Sequence, residues 1–375
     1  MENILIPQEI PDKENQLVLR RINTNGIQTV IQNPANLPEF SSNFIQEYTS
    51  SPGLFKQSES TTKPENKSYR HKPFIEANTT EINLSHLKQE CIIPVFSKDN
   101  ERTIAHQEFI EITQDCIGKI FPHHSLDIPE IRVSHQIKGR IPEAIHKNAK
   151  DLLDHEKTIY YERMAFIIRM PSITEDIQGN PLELTIGGVR AYNQENLYNK
   201  KTMEKFKFFI GFQNLVCCNL CVNSDGYVED MRVSSYQELQ NSILQVLQKY
   251  EAERHIFQMK QLPEYSLTEQ QFAQLLGKTR LYQHLPKKEK ENLQIPELIF
   301  NDSQFSTIAK DYYMDESFCR DSTGNINLWK VYNLFTQANK SSYIDTFLER
   351  NVNALNFTES IQNTMVDKSY HWFLS

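Results

Sequence analysis

The sequence predicts an α+β fold, in which a mainly antiparallel, twisted sheet is packed by helices. Strand-like alternation and short apolar runs concentrate between residues 91 and 230. Helical periodicity, with apolar residues three or four positions apart, dominates residues 231–375. Strands followed by helices, without strict alternation of the two, are typical of α+β folds. We therefore expect one such domain over residues 79–375, preceded by a tail.

The tail, residues 1–78, is expected to be largely disordered. Polar residues and recurrent prolines leave too little apolar surface there to offset the entropy that ordering removes. Two segments differ. Residues 17–33 alternate around Asn25-Gly26, a favoured hairpin turn, and predict a strand pair. Residues 37–55 place Phe40, Phe44 and Tyr48 at helical spacing, which indicates a short helix that covers the main domain or docks a protein partner.

Within the folded region, each element follows from its pattern. Strands are predicted over residues 91–96, 130–139, 162–173 and 181–193, with a bulge or bend at Gly187-Gly188. Residues 205–222 are predicted to hold at least one further strand, because residues 205–208 alternate strictly. Helices are predicted over residues 101–121, 140–161, 235–262, 268–285, 306–317, 327–340 and 342–365. The helix at 268–285 opens with Thr268 and Gln271, which form a capping box.

Composition excludes several classes of protein. The formal net charge of −8 over 375 residues excludes a strongly cationic nucleic-acid coat, and 11 glycines exclude a collagen-like repeat. No apolar run approaches the roughly 18 residues of a membrane span, so we expect no membrane partner. The first residues lack the apolar core of a secretory signal, so the expected location is cytoplasmic. No phosphate-binding glycine motif occurs, and we expect no cofactor.

Two constellations are candidates for enzyme chemistry. Cys217, Cys218 and Cys221 contain one C-x-x-C, but their apolar neighbours and the absence of a second ligand pair favour core packing over redox or metal use. Asp311 and Asp315 lie one helical turn apart, a spacing that allows a nuclease-like magnesium site, although a solvated helix face is more common. Neither motif is complete, so an enzyme is the less favoured class and no metal site is predicted.

A lysine-rich, aromatic segment provides the candidate binding site. Lys200 and Lys201 precede a predicted strand that carries Lys205, Lys207 and Phe209 on one face. Single-stranded nucleic acid is bound by such mixtures, because cations contact phosphates while exposed rings stack on bases. Arg190, on a neighbouring strand, would extend this basic face. The alternative is a sheet whose rings lie in the core and whose lysines are merely solvated.

Two separated stretches also resemble a known kind of protein. The first includes Cys217 and Asn219, in Val-Cys-Cys-Asn-Leu, and the second is Trp329-Lys-Val-Tyr332-Asn333-Leu-Phe-Thr336. Together they resemble phage/plasmid-like families of unknown function on bacterial mobile elements, over residues 91–357. The resemblance implies a cytoplasmic protein with a role on DNA and supplies no catalytic residues. Cys218 departs from the pattern, which usually has a small polar residue there.

These observations favour a non-enzymatic accessory factor that binds single-stranded nucleic acid during replication, recombination or transfer. Two alternatives stay open. One is a protein-interaction or defence-related factor that docks through residues 37–55 of its tail. The other is a metal-dependent nuclease that uses Asp311 and Asp315. The sequence leaves the oligomeric state open.

Overall fold

The structure is a computed structural model, and its described residues fall into two units, 1–54 and 55–375. The description covers residues 72–93, 103–144, 146–194, 203–293, 297–367 and 372–374, together with the backbone of three strands nearer the N-terminus. Those strands, β1 (Leu5–Gln8), β2 (Val18–Asn23) and β3 (Gly26–Ile31), form an antiparallel sheet in that order. The predicted strand pair is confirmed, whereas β1 lies in sequence that was expected to be disordered. The predicted docking segment, residues 37–55, lies outside the described residues.

An antiparallel sheet organises the second unit. Its strands are β4 (Thr80–Ile82), β5 (Glu130–Arg140), β6 (Lys157–Ile177), β7 (Asn180–Ala191), β8 (Glu204–Asn214), β9 (Asn219–Cys221) and β10 (Tyr227–Val233). The spatial order is β10-β8-β7-β6-β5-β4, and β9 pairs with the end of β8. The order follows the chain almost without crossovers, as expected where sequential strands pair with their neighbours.

Close packing, and not a bulge, explains the Gly187-Gly188 pair in β7. Both glycines pair in regular register with β6. A Cβ atom at Gly187 would lie 2.1 Å from the carbonyl oxygen of Phe166, so no side chain fits there. The register shifts instead within β6, around Pro171, where the missing N–H cannot join the ladder. Of the bulge or bend predicted at these glycines, the bulge is therefore wrong.

Both faces of the sheet are covered. Along β6, Met164, Phe166 and Ile168 belong to one hydrophobic core, while Ala165 and Ile167 belong to another on the opposite face. Successive side chains of a strand point to opposite faces of the sheet, so a strand buried on both faces contributes alternate residues to two cores.

The helices are α1 (Leu84–Gln89), α2 (His106–Ile120), α3 (Tyr236–Lys249), α4 (Ala252–Gln261), α5 (Glu269–His284), α6 (Lys287–Glu291), α7 (Asp302–Met314), α8 (Leu328–Asn339) and α9 (Ile344–Val366). Two short strands, β11 (Ser266–Leu267) and β12 (Ile326–Asn327), pair among them. The helical C-terminal third and the α+β class are confirmed. Thr268 and Gln271 form the predicted capping box at the start of α5.

One predicted helix is wrong, and one predicted strand is described only in part. The helix predicted over residues 140–161 is replaced by the 3₁₀ turns Pro142–Ala144, Ala149–Asp151 and Asp154–Glu156, and β6 starts at Lys157. Of the residues expected on a buried helix face, Ala144 is buried but Leu153 is 55% exposed. Of the strand predicted at residues 91–96, only residues 91–93 are described; among them Cys91 forms an isolated bridge with Ile159, and Ile92 is exposed.

The packed structure begins earlier than the predicted boundary at residue 78. Phe74 and Ile75 are buried in the core beneath α9. The backbone N–H groups of Glu76 and Ala77 donate to the carbonyl oxygen of Lys340 at 2.8 and 3.1 Å. Removal of residues up to 77 would therefore open part of this core. In the described part of the chain, no helix has the length and apolarity to cross a membrane.

Candidate functional site

Strand β8 carries the side chains that the sequence analysis singled out, and its two faces differ. Phe206 and Phe208 point into the core on the side of α2 and α3. Phe209 lies on the opposite face with Lys205 and Lys207, as the alternation predicted. Its ring is only 1% exposed, because residues of α9 complete a core over it. The prediction that Phe209 offers an exposed ring for base stacking is therefore wrong.

Arg190 is also enclosed. Its side chain is 1% exposed, and its guanidinium donates to the carbonyl oxygen of Ile104 and to the carboxylate of Glu204. The rings of Tyr192 and Phe206 lie 4.7 and 4.3 Å from the guanidinium carbon. A buried arginine needs such partners to offset desolvation. The prediction that Arg190 extends an exposed basic face is wrong.

The two lysines of β8 line an open groove with a volume of 260 Å³, which we call the charged groove. Its walls come from the ends of β7 and β8, from β10 and from α9. The lining residues are Val189, Ala191, Gln194, Lys205, Phe206, Lys207, Glu229, Asp230 and Glu349. Lys200 and Lys201, the other predicted cations, lie outside the described residues.

A β-bulge places the acidic wall of the charged groove. The pairing of β10 with β8 shifts register between Val228 and Met231, so Glu229 and Asp230 occupy the irregular stretch. Both side chains are exposed. A bulge adds a residue to one strand and changes the direction in which its side chains point. Here the bulge brings the carboxylates of Glu229 and Asp230 to one concave surface.

The lysines of the charged groove are already paired. The Lys207 ammonium donates to the Glu349 carboxylate and, at 2.6 Å, to the carbonyl oxygen of Asp345. The Lys205 Nζ lies 4.0 Å from a carboxylate oxygen of Asp230. A hydrogen bond from Arg232 holds the pKa of Asp230 below its usual range. In the described part of the chain, no ion pair engages Glu229.

A half-buried tyrosine, Tyr227, lies close to the same carboxylates. Burial raises the pKa of the Tyr227 phenol, and the negative charges of Glu349 and Glu229 raise it further. The hydroxyl has no hydrogen-bond partner within the described residues. The local potential at the charged groove is thus set by the carboxylates of Glu229, Asp230 and Glu349, by two lysines, and by the Arg232 guanidinium bound to Asp230.

The two motif stretches meet at the other end of β8, in a contact that we call the motif junction. The Asn214 side-chain amide donates to Asn333 Oδ1 at 3.2 Å, and the Asn219 amide donates to the Asn333 carbonyl oxygen at 3.1 Å. The Cys217 thiol donates to the same Oδ1 at 3.8 Å. All four residues are buried. The amides therefore fix the loop after β8 against α8.

The remaining motif residues are structural as well. Trp329 and Tyr332 are buried, and Thr336 Oγ1 donates to the backbone carbonyl oxygens of Tyr332 and Asn333 at 3.2 and 3.1 Å. Lys340, only 1% exposed, donates to the Cys217 carbonyl oxygen. Desolvation lowers the pKa of this lysine. Nothing in the sequence marked Lys340, because its acceptor is a backbone atom 123 residues away.

The cysteines have the character of core residues. All six are free, and burial raises the pKa of the Cys217 thiol to about 12 and that of the Cys218 thiol above its ordinary value. Such thiols are weak nucleophiles at neutral pH. Cys218 has a φ of 58°, the left-handed region, in the turn between β8 and β9.

The carboxylate pair of the nuclease hypothesis sits at the end of α7. Asp315 Oδ1 accepts hydrogen bonds from the backbone N–H groups of Ser317 and Phe318 at 2.9 and 2.8 Å, so it caps the following turn. Burial and the charge of Asp315 raise the pKa of Asp311. No group of three or more histidine, cysteine or acidic side chains suited to hold a metal ion occurs among the residues that the structure describes.

Sequence reasoning missed Glu349 as a wall of the charged groove. Glu349 contacts Lys207, which lies 142 positions earlier in the sequence. The residues around Glu349 have the pattern of an ordinary amphipathic helix, so nothing in that segment indicated the contact. Glu229-Asp230 was visible as an acidic pair in the sequence, but only the bulge reveals that the pair faces the lysines of β8.

Comparison with known proteins identifies the family of the chain. Residues 55–374 match the family model described as "Domain of unknown function, B. Theta Gene description (DUF3871)", and the chain belongs to that family. No curated protein and no solved structure matches the chain. The family match covers the sheet, the charged groove and the motif junction, and it excludes most of the tail.

Proposed function

We propose that this chain is a protein-binding module whose charged groove takes up a cationic segment of a partner protein. The observation that carries the proposal is the charge balance of the groove. Lys207 is paired with Glu349 and Asp230 with Arg232, whereas no ion pair within the described part of the chain engages the Glu229 carboxylate of the lining. A lysine or arginine side chain entering the groove would supply the missing partner.

The shape of the groove supports the same function. Charges in a concave surface focus their field and raise the local concentration of the opposite charge. The volume of 260 Å³ suits one or two side chains better than a folded domain. Val189 and Ala191 supply an apolar floor, against which the methylene stem of a lysine or arginine packs while its charged end reaches Glu229.

A second candidate is the binding of single-stranded nucleic acid, in an accessory role on a mobile element. It is favoured by Lys205, whose side chain is 35% exposed, and by Lys200 and Lys201 shortly before it in sequence. The resemblance of the motif stretches to phage/plasmid-like proteins adds to this candidate. Because Phe209 is buried, binding would depend on phosphate contacts and would fall steeply with salt.

Charge-reversal variants separate the two functions, since the functions require opposite signs. The measurement is fluorescence anisotropy at low salt, with a labelled oligolysine peptide and with labelled oligo(dT). If the groove takes a cationic segment, Glu229→Lys weakens oligolysine binding about tenfold, which corresponds to about 1.4 kcal/mol, and Lys205→Glu strengthens it. If the groove takes nucleic acid, Lys205→Glu abolishes oligo(dT) binding and Glu229→Lys strengthens it.

The matched control is Glu253→Lys, which makes the same charge change on the exposed surface of α4. An effect of this variant equal to that of Glu229→Lys would mean that net charge, and not the groove, determines binding. Failure of the parent protein to bind oligolysine at low salt would overturn the proposed function.

A further inference from the structure

The two edges of the main sheet are protected to different degrees. At one edge, β10 carries the bulge between Val228 and Met231 and the charged residues that flank it, and both features discourage pairing with another strand. At the other edge, β4 covers only Ile131–Val133 of β5. Beyond Val133, no strand among the described residues pairs with the outer side of β5.

The uncovered part of β5 is regular and exposed. From Gln136 to Arg140 it pairs with β6 without any register shift, so its outer backbone groups keep the spacing of a strand. Residues 135–138 are exposed, and Ile137 in the middle is 37% exposed. An exposed strand edge with regular spacing is a template for another strand. His135, with a φ of 57°, marks the limit of the regular stretch on the side of β4.

We propose that this edge pairs with the same edge of a second copy of the chain, in an antiparallel arrangement centred on Ile137. The two-fold axis then sets Ile137 of each copy against its symmetry mate. Gln136 of one copy lies opposite Lys138 of the other, and His135 lies opposite Gly139.

The side chains of the edge fit this register. Ile137 of one copy packs against Ile137 of the other. Each Lys138 ammonium lies opposite a Gln136 side-chain oxygen, so no like charges face each other. A shift that set residue 138 against its own symmetry mate would place two lysines face to face. No ion pair occupies Lys138 within the described residues, which leaves it available for Gln136 of the second copy. The pairing would join the two sheets into one continuous sheet, with an isologous interface as expected of a two-fold dimer.

Residue swaps at positions 136 and 138 test both the dimer and its register. The measurement is sedimentation velocity of the full chain over a concentration series. The parent is expected to sediment as a dimer that dissociates on dilution. Gln136→Lys sets lysine against lysine at two places across the axis and is expected to raise the dimer dissociation constant at least about tenfold.

The double variant Gln136→Lys with Lys138→Glu is expected to restore the dimer. In this register alone, the cation introduced at position 136 of one copy lies opposite the carboxylate introduced at position 138 of the other. Gln245→Lys, on the exposed surface of α3, is the matched control and should leave the dimer unchanged. Circular dichroism establishes that each variant is folded, which the exposure of both positions favours. A parent that is monomeric at every concentration overturns the proposal. So does a dimer that is insensitive to Gln136→Lys, or one that the double variant fails to restore.

Discussion

The two ends of strand β8 carry polar side chains for opposite reasons. At its C-terminal end, the motif junction buries Asn214, Asn219 and Asn333 in hydrogen bonds to one another and to backbone. At its N-terminal end, Lys205 and Lys207 lie at an open groove with carboxylates around them. The residues that form a recognisable sequence motif are therefore the ones that hold the fold together. The residues available to a ligand carry no motif.

The difference follows from what burial requires of each group. A buried amide without partners costs about 1–3 kcal/mol, so its partners must be specified in both position and type. An exposed charge is solvated whatever surrounds it, and an exposed ion pair contributes about 0–1 kcal/mol. We therefore expect residue types and spacing to be fixed at the motif junction. The residue types that line the charged groove are expected to vary freely unless a ligand requires particular side chains there.

The largest expected effect is that of Phe209→Ala, which tests whether the face of β8 shared with the lysines is a core or a surface. Because the ring is 1% exposed and packs beneath α9, we expect a loss of about 3–5 kcal/mol in the free energy of unfolding, measured by urea denaturation. Phe257→Ala, at a ring that is 63% exposed on α4, is the control and should change stability by less than about 0.5 kcal/mol. A loss below about 1 kcal/mol for Phe209→Ala would contradict the buried core on this face.

A smaller effect is expected at the motif junction itself. Asn333→Ala removes the acceptor of Asn214 and Cys217 and the donor to the Trp329 carbonyl oxygen, which leaves buried groups unpaired. We expect a loss of about 2–4 kcal/mol in unfolding free energy. Asn363→Ala, at an exposed position on α9, provides the comparison and should be near neutral. If Asn333→Ala were neutral as well but abolished ligand binding, the motif junction would be a binding site and the contrast between the two ends would be reversed.

Local patterns were sufficient to predict most elements of the fold. The alternation in β5, β6, β7 and β8 and the periodicity of α2 and the C-terminal helices are signals that each segment carries by itself. Residues 140–161 were predicted to be helical because their apolar residues have helical spacing, but Leu153 is 55% exposed, and the segment forms 3₁₀ turns. Periodicity predicts a helix only where tertiary packing uses its apolar face.

The candidate site was predicted only in part, because its geometry depends on distant residues. The sequence correctly placed Lys205, Lys207 and Phe209 on one face of a strand. It could not indicate that α9, more than 130 residues later, would cover Phe209 and bring Glu349 to Lys207. For the same reason Arg190 read as a surface cation, although Glu204 and two aromatic rings enclose it.

The smallest expected effect concerns the two ion pairs within the charged groove, whose burial differs. The side chains of Lys207 and Glu349 are 12% and 23% exposed, whereas those of Lys205 and Asp230 are 35% and 45% exposed and lie 4.0 Å apart. A double-mutant cycle with Lys207→Met and Glu349→Gln should give a coupling of about 0.5–1.5 kcal/mol in unfolding free energy, because the pair is partly shielded from water. The matched cycle with Lys205→Met and Asp230→Asn should give about 0.5 kcal/mol or less and vanish in high salt. Equal couplings would show that the inner pair is as solvated as the outer one, and Lys207 would then be as available to an anionic ligand as Lys205.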